Sequence, residues 1–126
     1  MVVLKRPLTP WYVLNLNDER LELTGVIEMT NLIDPAQETA GRALVYLPRY
    51  VESGDPAFDE GDDAILRLAL ERGLRPLFPD LRDDDVVCRS VHRARHVQPL
   101  PVVGEPPHGA AIPRLTPPFQ VVNSAL

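Results

Sequence analysis

Cysteine is nearly missing from this chain of 126 residues: Cys88 stands alone. A single thiol closes no internal disulfide, so the fold rests on its core, and a reducing, cytoplasmic setting is expected. Long apolar runs are missing too. None approaches the roughly 20 residues that cross a bilayer. The start, Met1-Val2-Val3-Leu4-Lys5-Arg6-Pro7, is too short in its apolar stretch for a secretory signal. Basic charge is in the minority: 13 Lys and Arg against 18 Asp and Glu leave a net charge of -5. That balance argues against a nucleic-acid surface, which needs clustered Lys and Arg. Glycine is sparse, and its spacing excludes a motif. The seven glycines are Gly25, Gly41, Gly54, Gly61, Gly73, Gly104 and Gly109, no two of them two residues apart. A G-x-G-x-x-G loop cannot be built from them, so no helix N-terminus is shaped to cradle a pyrophosphate.

What is present fits one folded domain. Hydrophobic residues make up 44% and charged residues 25%, ordinary values for a globular chain. A chain of this size buries about two-thirds of its unfolded surface, enough for a core. Proline is abundant: 14 residues, against a usual share of about 5%. Seven of them fall between Pro99 and Pro118. That stretch cannot be regular helix, because proline lacks the N–H and clashes with the preceding turn.

Along the chain, Trp11 to Leu16 reads as a strand from its aromatic and branched residues. Asn17-Asp18-Glu19-Arg20 is a turn. Gly25 to Leu32 reads as a second strand, stopped by Asp34-Pro35. Ala43 to Pro48 is a third, with Pro48 ending it or marking an edge. After an acidic loop, Glu52 to Asp63, comes one strong helix. Ile65, Leu66, Ala69, Leu70, Gly73, Leu74 and Leu77 share an apolar face. Its start is acidic and its end basic, as the helix dipole favours, and Pro76 is expected to stop it near Arg75. Val86 to Val97 reads as a long extended segment, and Phe119 to Val122 as a closing strand. The order implies an α+β fold, a mixed, mostly antiparallel sheet backed by one main helix. A stop just after a strand is expected of a piece of a longer protein.

Several of these blocks resemble one family in order and spacing. They are Trp11 to Asp18, Thr24 to Asn31, Leu44 to Tyr50, Leu77 to Leu81, Arg95 to Pro99 and Phe119 to Ser124. Together they resemble a bacterial branch of the flavin amine-oxidase superfamily, which also holds protoporphyrinogen oxidases, phytoene desaturases and UDP-galactopyranose mutases. The block from Gly25 to Asn31 is the most specific. The resemblance implies an FAD-dependent oxidoreductase with two parts, a dinucleotide-binding domain and a substrate domain lying over the flavin. This chain is similar to the substrate domain. Residues 1–98 would be that domain, 99–118 a proline-rich connector, and 119–126 a strand returning toward the FAD-binding domain. The parent enzyme would use FAD and a small-molecule substrate, whereas this piece, lacking the glycine loop, is expected to hold no FAD and to be inactive alone.

The resemblance also implies a set of site residues. Glu28 and Thr30 would share a strand face with Val26. Either that face is the solvated side of a half-buried sheet, or it looks into the substrate cavity, with Glu28 accepting from an amine or hydroxyl. Trp11, Tyr12 and Tyr46 would line a cavity as aromatic walls beside the flavin, though strand aromatics more often belong to a core. Arg93 and Arg95 would share a strand face. They would pair with the acidic loops at 52–63 and 80–85, or Arg95 and Gln98 would approach the flavin or an anionic substrate group. Asn123 and Ser124 would meet the flavin in the complete protein. No catalytic residue is identified. His92, His96 and His108 have no partners at metal-ligand spacing, so no metal site is expected. Cys88 reads as a small buried apolar residue. Two readings from other classes stand beside this one: a free-standing binding or interaction module, and a partner subunit of a separate flavoprotein. No nucleic-acid or membrane partner is expected. Exposed apolar surface where a cofactor domain is missing, with self-association through it, is.

Overall fold

A computed structural model describes residues 1–95 and 97. The chain divides into two compact units, residues 1–93 and 94–126. All secondary structure among the described residues lies in the first unit. The proline-rich connector and the closing strand expected at 119–122 lie outside the described residues.

The first unit is α+β, a five-strand antiparallel sheet with one main helix of 16 residues. The strands are β1 (Val2–Leu4), β2 (Val13–Asn15), β3 (Gly25–Glu28), β4 (Ala43–Tyr46) and β5 (Val86–Arg89). They lie in the order β2-β3-β4-β1-β5. The helices are a single turn, α1 (Pro35–Glu38), and the main helix α2 over residues 62–77. Short 3-10 turns cover Met29–Leu32, Pro56–Asp59 and Asp83–Asp85.

Register decides which side chains share a face. Val2 pairs with Val45 and Leu4 with Ala43 across β1 and β4, Glu28 pairs with Val45, and Leu14 with Val26. These residues form the side covered by α2, and Val2, Leu4, Val26 and Val45 are fully buried there. Leu70 and Leu74 of α2 complete the core with Leu81. Alternation sends Val3, Val13, Ile27, Leu44 and Tyr46 to the opposite side. That second face is apolar, and Val13 and Tyr46 are 38% and 40% exposed.

Helix α2 begins after Gly61 with Asp62 and Asp63 in its first turn, where the dipole favours negative charge. It does not stop at Arg75 as the sequence suggests. The stretch Ala69–Leu74 is wound as a π-helix, and Arg75–Leu77 continues as α-helix. Proline inside an α-helix loses one bond and clashes with the carbonyl four residues back. The wider π winding just before Pro76 relieves that clash, so the helix runs one turn further. Gly73 is buried in this stretch. A Cβ there would stand 2.3 Å from Leu23 Cδ1 and 2.6 Å from its Cγ. Leu23 fills the slot left by the missing side chain. Glu22, beside it, pairs with Arg72 of α2 and with Arg49 after β4. Loop, helix and sheet are thereby tied together.

Other expectations need correction. β1 is an interior strand, between β4 and β5, that the sequence does not mark, because three residues are too short to show a period. The second expected strand ends at Glu28, not Leu32: a 3-10 turn takes over at Met29. Thr30 therefore does not continue the strand face of Val26 and Glu28. The long segment expected from Val86 to Val97 is a strand only to Arg89. Alternation does not reach Arg93 and Arg95. Cys88 is exposed rather than buried.

Candidate functional site

Glu28 is the most unusual side chain of the sheet. It is fully buried on the helix-covered face. Its carboxylate accepts hydrogen bonds from two backbone amides: Leu8 N at 3.1 Å and Thr9 N at 3.0 Å, both to Oε2. Burial pushes its carboxyl above the usual range, and the bonds from Thr9 and Leu8 pull the other way. Asn31 joins it from the 3-10 turn, its Nδ2 donating to Thr9 O and Trp11 O, each at 2.9 Å. Thr9 Oγ1 in turn accepts from Trp11 N at 3.2 Å. Pro7 and Pro10 in the same loop have no N–H to satisfy. Loop 7–12 is thus fastened to the sheet by side chains whose own capacity is spent on it. The loop leaves Trp11 67% exposed.

Thr30 is buried as well, and its Oγ1 accepts from Leu44 N at 3.2 Å. It braces the start of β4. Tyr46 lies across the sheet from both, on the open face, beside Ile27. The residues Glu28, Thr30 and Tyr46 therefore do not line a common cavity. Arg95 is exposed and belongs to the second unit. Gln98, Asn123 and Ser124 lie outside the described residues. Asn31, Thr9 and Trp11 complete the arrangement around Glu28, and sequence reasoning passed over their role. The available signal was an acidic residue in an otherwise apolar strand, followed three residues later by an amide side chain.

Arg93 closes the unit near the start of α2. Its Nε donates to Phe58 O at 2.9 Å, Nη1 to Asp62 Oδ1 at 2.7 Å and Nη2 to Glu60 O at 2.6 Å. Three bonds from one planar guanidinium fix the acidic loop in place. An open groove of about 580 Å³ runs between α2 and β5, lined by Asp63, Arg67, Leu70, Glu71, Asp83 and Arg89. Arg75 pairs at its rim with Glu71 and Asp83. Most of the side chains lining the groove are charged, and none of Glu28, Thr30 and Tyr46 is among them.

The chain's fit to FAD can be judged from its own backbone. The one long helix among the described residues opens with Gly61-Asp62-Asp63. Two carboxylates in the first turn oppose a pyrophosphate, which a glycine-rich loop would otherwise receive there. The glycines with positive φ, Gly41 and Gly54, sit in separate turns. The described residues do not fit FAD. Among them no group of His, Cys, Asp and Glu is arranged to hold a metal ion, and no helix is long and apolar enough to cross a membrane. Every buried side-chain nitrogen or oxygen there has a hydrogen-bond partner. The fold class is that of a small α+β domain with a one-sided helical cover. No protein family, curated protein or solved structure matches the chain.

Proposed function

We propose that this domain works by docking: the open face of its sheet seats on the surface of a flavin-holding protein part, as the substrate-side domain of an FAD-dependent oxidoreductase of the amine-oxidase type. The observation that carries the docking half is the apolar face opposite the helix, where Val13 and Tyr46 are exposed beside the partly buried Ile27, Leu44 and Val3. Contiguous apolar surface of this kind commonly marks a protein contact. The flavin half rests on the ordered sequence blocks from Trp11 to Ser124, the block from Gly25 to Asn31 above all. In this reading the flavin sits on the other part, Tyr46 faces it, and Glu28 and Thr30 keep the sheet in shape. The cofactor would supply the oxidation, and this domain would position substrate and exclude water.

A second reading, a free-standing interaction module, is favoured by one observation. The polar groups of Glu28 and Thr30 are consumed inside the fold, so no gathered substrate site is needed to explain them. One experiment separates the two. The product of the complete reading frame containing these residues is purified and its flavin spectrum recorded beside that of residues 1–126 alone. The flavoenzyme reading expects FAD near one per chain in the complete product and none in the short one. A complete product without a dinucleotide-binding loop and without flavin sinks it and leaves the interaction module.

A further inference from the structure

The two edges of the sheet are built differently. β5 carries a register shift against β1, where Val3 pairs with Cys88 and Leu4 with Val86, so that Val87 bulges, and exposed Arg89 ends the strand. Bulges and charges are the usual guards against edge pairing. β2 has neither. Its residues Val13-Leu14-Asn15 run in even register against Ile27-Val26-Gly25. Tyr12 O accepts from Glu28 N at 2.8 Å, and Leu16 N donates to Thr24 O at 3.0 Å. Backbone groups alternate in direction along an antiparallel strand. Residues 12, 14 and 16 therefore bond inward to β3, and the N–H and C=O of Val13 and Asn15 point to the free edge.

Those outward groups sit symmetrically about Leu14. A second β2 laid antiparallel beside the first, with the two-fold axis at Leu14, sets each Val13 opposite the partner copy's Asn15. Each such pair exchanges two backbone bonds, so four close across the axis. The operation is isologous and self-limiting, because it uses up the unguarded edge on both copies. It also keeps each open face on the same side of the joined sheet, leaving the docking row of Val13, Ile27 and Tyr46 accessible for the partner argued above. We propose that the edge of β2, which has no strand neighbour among the described residues, pairs with β2 of a second copy of this chain, forming one sheet across two subunits.

The test uses the full 126-residue chain. Sedimentation equilibrium over a range of concentrations should show a dimer that dissociates on dilution. Asn15→Pro removes the outward donor of residue 15 while leaving the inward bonding groups of residues 12, 14 and 16 in place, and it should weaken the dimer at least about tenfold. Tyr46→Lys alters the open face instead and should leave the dimer constant unchanged. Amide exchange gives a readout that needs no variant. The Val13 and Asn15 amides should gain protection as concentration rises, while Leu14 stays protected throughout. A monomer at all concentrations overturns the proposal. So does a dimer broken by Tyr46→Lys but not by Asn15→Pro, or protection of Val13 and Asn15 that is independent of concentration.

Discussion

At the scale of single residues, Glu28 ties chemistry to stability most clearly. A carboxylate without a cationic partner is buried here because two amides of loop 7–12 need an acceptor. Glu28→Ala leaves those donors without a partner and should cost about 2 kcal/mol or more, read from urea unfolding. The pH dependence has a definite sign. Burial raises the Glu28 pKa above 4.5 in the folded state. Its contribution is therefore complete below that value and is lost as pH rises through the folded pKa. The stability of the native chain relative to Glu28→Gln should fall as pH rises above 4.5 and through the folded pKa. Gly73 makes the second residue-scale prediction. Leu23 occupies the space that a Cβ would need, with its Cγ as well as its tip in the way. Gly73→Ala should destabilise the fold by about 1–3 kcal/mol despite its better helix propensity, visible as a lower melting temperature. Glu28 was conspicuous in the sequence as an acid in an apolar strand. Its partners were not, because backbone amides of a loop twenty positions away leave no side-chain pattern to read.

At the scale of elements, periodicity carried the reading where it had room. The helix face of Leu66, Leu70 and Leu74 repeats at helical spacing, and those residues are buried as the pattern implies. The strands are three or four residues long, too short for alternation to mark their ends. Side chains set those ends instead. Asn31 draws the chain into a 3-10 turn after Glu28, and Arg93 takes the segment after β5 to the acidic loop rather than along the sheet. Pro76 misled for a related reason, since a local rule about α-helices was met by a π segment that changes the local geometry. The edge of β2 belongs to this scale too. Its outward groups follow from register alone, which is why a proline at Asn15 separates edge pairing from loss of fold.

At the scale of the whole molecule, one side of the sheet is covered by the chain's own helix, and the other leaves Val13 and Tyr46 exposed. The α+β class was legible from the order of strands and helix. The exposure of Val13 and Tyr46 was not, because it depends on which strands are neighbours, and the place of β1 between β4 and β5 is part of that order. The docking reading turns on this asymmetry, and Tyr46 reports it. Tyr46 is 40% exposed on the open face, and Tyr50, 67% exposed, serves as a reference beyond the strand. Tyrosine-selective modification followed by peptide mass mapping compares the two in residues 1–126 alone and in the product of the complete reading frame, the proposed complete protein. The account predicts that Tyr46 reacts in the isolated chain and becomes protected in the complete protein, while Tyr50 reacts in both. Equal reactivity of Tyr46 in the two states would contradict it.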